Sequence, residues 1–142
     1  MLNFNTPITD TKEYSEIKIS EVEPILKINL RGKNRDFITK IGKELSIITP
    51  VDPNTSSSNE KLNLLWLSPD EWFLYSNDKI DIKDANSLED NLFNEISKVK
   101  LGSVTNVSDH WIMINLKVQK FLNYYQLVVH LILIILKTQK AQ

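Results

Sequence analysis

Leu65-Trp66-Leu67-Ser68-Pro69-Asp70-Glu71-Trp72 sets two of the chain's three tryptophans on either side of a turn written Ser-Pro-Asp-Glu. Proline at the second turn position presets φ near the value a type I turn needs, and Ser or Asp beside it bonds the turn backbone. The flanks, Leu62–Leu67 and Trp72–Tyr75, are apolar and aromatic enough to be paired strands. The string therefore predicts a β-hairpin that pins two indoles at a sheet surface.

Upstream, Leu26, Ile28 and Leu30 alternate with Lys27, Asn29 and Arg31, the period of two expected of a half-buried strand, and Gly32 ends it. Asn34 is placed to cap a helix whose apolar face is Phe37, Ile38, Ile41 and Leu45. Gly42 costs that helix about 1 kcal/mol against alanine, tolerable where a neighbour packs closely. The Pro-, Ser- and Asn-rich stretch from Pro50 to Asn59 is expected to be a loop. Downstream, the polar stretch Ser76–Asn86 leads to Ser87, a second candidate cap, with Leu88, Leu92, Phe93 and Ile96 as the buried face of its helix. Val104–Val107 and Trp111–Leu116 follow as strands. This order predicts an α+β fold, an antiparallel sheet with helices packed on one face. Residues 1–14 are expected to form a flexible arm, 15–116 the domain, and 117–142 an atypical apolar tail.

A chain of 142 residues fits one domain, and 42% apolar with 25% charged side chains is ordinary for a soluble globular protein. A net charge of −1 supplies no bulk field for nucleic acid or anionic lipid, so neither a nucleic acid nor a membrane is expected as partner. The absence of cysteine excludes disulfides, thiolate nucleophiles and Cys-based metal sites. Met1–Asp10 lacks a basic start followed by an apolar core, the mark of a signal peptide, and a cytoplasmic location is the expectation. Charge is unevenly spread: residues 110–142 hold four lysines and no acid, leaving 13 basic and 18 acidic side chains before them. Such a break often marks a boundary.

No catalytic constellation stands out. Asp70 and Glu71 sit where a turn needs them, and Asp109 suits a strand junction or a partner contact better than acid–base work. His110 and His130 are the only histidines and lie at no metal-ligand spacing. Asp78, Asp81 and Asp84 recur every three residues without the alternate oxygens and glycine of a calcium loop, so a solvated loop is expected. Three glycines, Gly32, Gly42 and Gly102, make neither a dinucleotide fingerprint nor a phosphate loop. Arg31, Lys33, Arg35, Lys40 and Lys43 are accompanied by a single aromatic, Phe37 on the apolar face, which fits a solvated helix face better than a nucleic-acid surface. Trp66, Trp72 and Trp111 suit either a core or an interface, since indoles bury large area and seek a partner for the N–H.

The Trp-flanked string, followed at a distance by Val107-Ser108-Asp109-His110-Trp111, resembles the gamma subunit of bacterial heterotetrameric sarcosine oxidase. The likeness runs over roughly residues 22–116 and includes Leu30-Arg31-Gly32 and the loop with Pro50 and Pro53-Asn54. Asn106 departs from it, standing where an aspartate is common. The resemblance implies a fold related to the folate-binding aminomethyltransferases and a small non-catalytic subunit, inactive alone. The complex would oxidatively demethylate sarcosine to glycine with tetrahydrofolate as one-carbon acceptor. No cofactor is expected on this chain; FAD, FMN and NAD are expected with the large subunits. The implied partners are the alpha, beta and delta subunits, with Trp66, Trp72, Asp109 and Trp111 as candidate interface residues. A stand-alone folate-binding aminomethyltransferase-like protein and a small interaction module remain alternatives.

The tail departs completely. Leu127–Leu136 is almost wholly apolar, too short to cross a bilayer as a helix, and shows no alternation. A fully buried final strand is one reading. Read one base out of phase from the Lys117 codon, with AT-rich codons, the tail permits Gly-Ser-Lys-Ile-Phe-Glu-Leu-Leu-Ser-Thr-Ser-Cys-Pro-Phe-Asn-Phe, which is similar to the segment the family carries there. A frameshift near Asn115–Lys117 is accordingly the second expectation.

Overall fold

The computed structural model describes residues 12–13, 17–79 and 81–118. They fall into two compact units, residues 23–112 and the described parts of 1–22 and 113–142. The architecture is mixed α/β, with antiparallel sheets and two helices.

The larger unit is built on the hairpin. Strand β5 (Leu62–Ser68) turns through Pro69-Asp70 into β6 (Glu71–Ser76), and the register sets Trp66 opposite Trp72. A bulge between Trp66 and Ser68 leaves Leu67 without a cross-strand partner and 41% exposed. The turn is held from within by Ser68 Oγ donating to Asp70 Oδ1 at 2.8 Å, and from outside by Gly32 N–H donating to Asp70 O at 3.0 Å.

Strand β3 (Lys27–Arg31) pairs with β6 on one side and with β7 (Ser103–Asn106) on the other. A short strand β4 (Ser56–Ser58) pairs with β5, giving the order β4-β5-β6-β3-β7. The loop expected over Pro50–Asn59 therefore contains a strand. Serine has little intrinsic preference for a sheet, and β4 forms because β5 offers it an open edge. Asn59 then ties the loop down, donating to Leu45 O at 2.9 Å and accepting from the Leu62 N–H at 2.9 Å.

Helix α1 (Arg35–Leu45) starts where the sequence places it, with Asn34 Oδ1 accepting from the Phe37 N–H at 2.7 Å. It ends at Ser46 in the left-handed conformation, φ 52°, with Ile47 N–H donating to Gly42 O at 3.1 Å. The chain then doubles back over Gly42, where an added Cβ would lie 3.0 Å from Ile47 O and 3.1 Å from Thr49 Oγ1. Close packing thus accounts for the glycine inside the helix.

Helix α2 (Ile82–Leu92) starts earlier than expected. Asp81 caps it, its carboxylate accepting from the Lys83 N–H at 2.8 Å, and Asp84 lies in the first turn. Ser87 is inside the helix, so neither a Ser87 cap nor a purely solvated Asp78–Asp84 loop holds. The helix continues as a π-helical turn, Phe93–Ser97. The wider turn keeps Leu92 and Ile96 in line, both fully buried, and leaves Phe93 51% exposed rather than in the core.

One core unites these elements. Ile28, Leu30, Leu62, Leu64, Trp72 and Leu74 of the sheet meet Phe37, Ile41 and Leu45 of α1 and Leu92 and Ile96 beyond them. Phe37 and Trp72 lie with ring centroids 5.6 Å apart. Alternation along β3 predicts a half-buried strand, yet Lys27 is only 4% and Asn29 only 9% exposed. The reason is positional: β3 lies between two strands, and the segment after β7 folds over the face turned from the helices.

The smaller unit is a three-stranded sheet in the order β1-β2-β8, with β1 (Lys12–Glu13), β2 (Ile17–Glu21) and β8 (Ile114–Val118). Strand β8 begins three residues later than the Trp111 start predicted for it, and Trp111 lies in no strand. The register sets Ile17 opposite Val118 and Ile19 opposite Leu116, and also Lys18 opposite Lys117. Glu13 on β1 faces Lys18 and forms an ion pair with it, offsetting the like-charge pairing. The expectations for residues 1–11 and for the apolar tail beyond 118, including the frameshift, lie outside the described residues.

Candidate functional site

The sheet of the larger unit has one face against the helices and one face of mixed aromatic and polar character. On the second face Asn29 pairs in register with Phe73 and Lys27 with Tyr75. Phe73 and Tyr75 stack at 5.9 Å. Trp111 completes an aromatic row, its ring 4.9 Å from that of Phe73.

Trp111 is carried there by a tight turn whose hydrogen bonds follow from its residue types. Asn106 Oδ1 accepts from the Ser108 N–H at 3.0 Å, the local bond that short polar side chains make in turns. Ser108 Oγ accepts from the Lys27 N–H at 2.9 Å, fastening the turn to β3. The N–H groups of His110 and Trp111 both donate to Val107 O, at 3.1 Å. Asp109 and His110 project from this turn and are exposed, and Trp111 and Ile112 remain 40% and 41% exposed. An aromatic and an aliphatic side chain therefore stand exposed beside an acid on a hydrogen-bonded turn.

At the hairpin end of the same face the carboxylates are engaged in structure. Glu71 accepts from Asn29 Nδ2 at 2.7 Å and pairs with Arg31 at 3.5 Å. Asp70 pairs with Lys33 at 3.8 Å. The Ser68 hydroxyl, with Lys33 and Arg31 nearby, holds the Asp70 carboxyl below its ordinary range. Asp70 is thus bonded within the turn it helps to form, and Glu71 across the strands beside it.

The four residues singled out from sequence separate. Trp72 is 1% exposed and donates its indole N–H to Pro50 O at 2.7 Å, so it is a core residue. Trp66 is half-buried beside it on the helix-covered face and packs against the core. Asp109 and Trp111 lie together at the exposed turn. Sequence reasoning missed Phe73, whose ring supports Trp111; it follows Trp72 directly, and strand alternation alone places it on the opposite face. It missed the Asn29–Glu71 bond, which depends on a strand register that spacing does not reveal.

Among the described residues no group of three or more His, Asp or Glu is arranged to hold a metal ion. No described helix is long and apolar enough to cross a membrane.

These features define a mixed α/β domain with antiparallel sheets, two helices and an exposed turn that carries Asp109 and Trp111. No family model matches the chain, and no curated protein matches it. The fold is similar to that of a chain in the heterotetrameric sarcosine oxidase from Corynebacterium sp. U-96, solved in complex with pyrrole 2-carboxylate, at a TM-score of 0.61 and 18% identity. The match covers 72% of this chain and 50% of that one, so the likeness spans half of the neighbour.

Proposed function

We propose that this chain is a small non-catalytic subunit of a sarcosine oxidase-type complex, related in fold to the folate-binding aminomethyltransferases. In this reading the alpha, beta and delta subunits are its partners, FAD, FMN and NAD lie with the large ones, and tetrahydrofolate is the one-carbon acceptor of the complex. They perform the oxidative demethylation of sarcosine, and the present chain contributes packing and assembly. The observation that carries the proposal is the fold similarity to a chain of such a heterotetramer, which covers 72% of this chain. The docking role falls to Trp111 and Asp109, with Phe73 as support, because Trp72 is spent in the core.

Co-expression with the large flavoprotein subunits tests the reading. The tagged chain is expected to co-purify with them, and Trp111→Ala with Asp109→Ala is expected to weaken capture at least about tenfold. A folded chain that fails to join subunits which assemble among themselves would overturn the proposal. So would turnover of sarcosine, or retention of a flavin, by the isolated chain.

A further inference from the structure

The sheet edges of this chain are treated differently from one another. On β7 the Val104 N–H is taken by Ser97 Oγ at 3.0 Å, and Asn106 Nδ2 donates to Glu89 at 2.7 Å, so helical elements plug that edge. At the other end of the five-stranded sheet, β4 is only three residues long and entirely serine. Both are recognised ways of blunting an edge.

Among the described residues strand β8 has neither protection. It is five residues long, alternates Ile114, Leu116 and Val118 with Asn115 and Lys117, and pairs only with β2 among the described residues. Asn115 and Lys117 are exposed, and Ile114 is 37% exposed.

Its order is also self-complementary. Two antiparallel copies of β8, related by a two-fold axis at Leu116, set Leu116 opposite Leu116. Ile114 then meets Val118, and Asn115 meets Lys117. Apolar positions meet apolar ones, and lysine never meets lysine. A slip of one residue would bring Lys117 against Ile114 or Leu116, so the pattern disfavours one-residue slips. The contrast with the chain's own pairing is informative: there Lys18 faces Lys117 and needs Glu13 beside it.

We infer that the outer edge of β8 is a docking edge for a second copy of this chain, forming a six-stranded antiparallel sheet by isologous strand addition. The inference is independent of the proposed role in an oxidase complex and stands on the smaller unit alone.

The test uses the exposed position Asn115 in the full chain, followed by sedimentation velocity at micromolar concentrations. The unsubstituted chain is expected to dimerise. Asn115→Glu sets a carboxylate opposite Lys117 of the other copy twice over, and should tighten the dimer about three- to tenfold at low salt. Asn115→Lys creates two like-charge pairs and should weaken it by a similar factor. Circular dichroism checks that both variants retain the fold. Effects of opposite sign, both diminishing in high salt, support the inference. A monomer at all concentrations overturns it, because the edge is then open or occupied by another part of the same chain. A dimer that responds alike to both substitutions also overturns it.

Discussion

The indole N–H of Trp72 donates to the Pro50 carbonyl at 2.7 Å within the core, while the Trp72 ring lies 5.6 Å from that of Phe37. The residue is therefore anchored at both ends, by apolar contact with α1 and by a hydrogen bond to the loop that follows it. Trp72→Phe keeps a ring but leaves the Pro50 oxygen without its donor and opens a void. The expected loss is about 2–4 kcal/mol in urea unfolding. Trp111→Ala should cost less than about 1.5 kcal/mol, because that ring is 40% exposed and its loss forfeits mainly the contact with Phe73.

A second consequence concerns two glycines that have ordinary backbone angles and matter only for space. A Cβ on Gly102 would lie 2.2 Å from Arg31 O and 2.5 Å from the Phe37 ring. A Cβ on Gly32 would meet the same ring, also at 2.5 Å. Phe37 is fully buried and has no room to retreat. Gly102→Ala is expected to lower stability by about 2–3 kcal/mol, and Gly32→Ala by a similar amount. Thermal unfolding of the two variants measures this, and a combined variant should lose less than the sum, since both press on one side chain.

What could be foreseen and what could not divides along physical lines. The Asn34 cap and the Trp hairpin are local matters: a capping residue precedes an apolar stripe, and a proline turn separates two aromatic runs. The start of α2 was obscured because Asp81 and Ser87 are both credible caps, and only Ala85 and Leu88, packed against the core, favour the earlier one. The exposure of Phe93 follows from a π-helical turn that apolar spacing does not announce. Strand β4 owes its existence to β5 alone. The least legible feature is the pairing of β2 with β8, because short alternating segments so far apart in sequence carry no signal of their partner. At the candidate site, Trp111 and Asp109 were visible as residues, but the support from Phe73 and the fastening by Ser108 needed the register.

The contact between α1 and the π-helical turn is electrostatic as well as apolar. Lys40 and Glu95 form an ion pair and hydrogen bond. The bond to Lys40 holds the Glu95 carboxyl below its ordinary range, and the bond to Glu95 raises the Lys40 ammonium above its own. For Glu95 the folded value is depressed, so its contribution is present above roughly pH 4.3 and is lost as pH falls through the folded value. For Lys40 the folded value is raised, so its contribution is complete below roughly pH 10.4 and is lost as pH rises through the folded value. Both side chains are partly solvated, so the effect is small and salt-sensitive. Glu95→Gln should flatten the dependence of the unfolding midpoint on pH in the acid window, in urea titrations across pH 3–6, roughly the range where carboxylates titrate.

Asn106 offers the sharpest chemical test of the turn that bears Trp111. Its amide oxygen accepts from the Ser108 N–H at 3.0 Å while its amide nitrogen donates to Glu89 at 2.7 Å. An aspartate at this position would keep the first bond and lose the second. It would also set two carboxylates against each other. Asn106→Asp is therefore expected to lower stability by about 0.5–1.5 kcal/mol at neutral pH, with the loss easing in acid as either carboxylate takes a proton. Adding Glu89→Gln to that variant should recover most of the loss, because the amide of the new glutamine donates where Asn106 did. Glu89→Gln alone should cost little, since two amides at this distance still bond. A double-mutant cycle by urea unfolding at pH 7 and at acid pH decides the matter. Equal losses at both pH values would show that the Asn106–Glu89 contact contributes nothing through its charge.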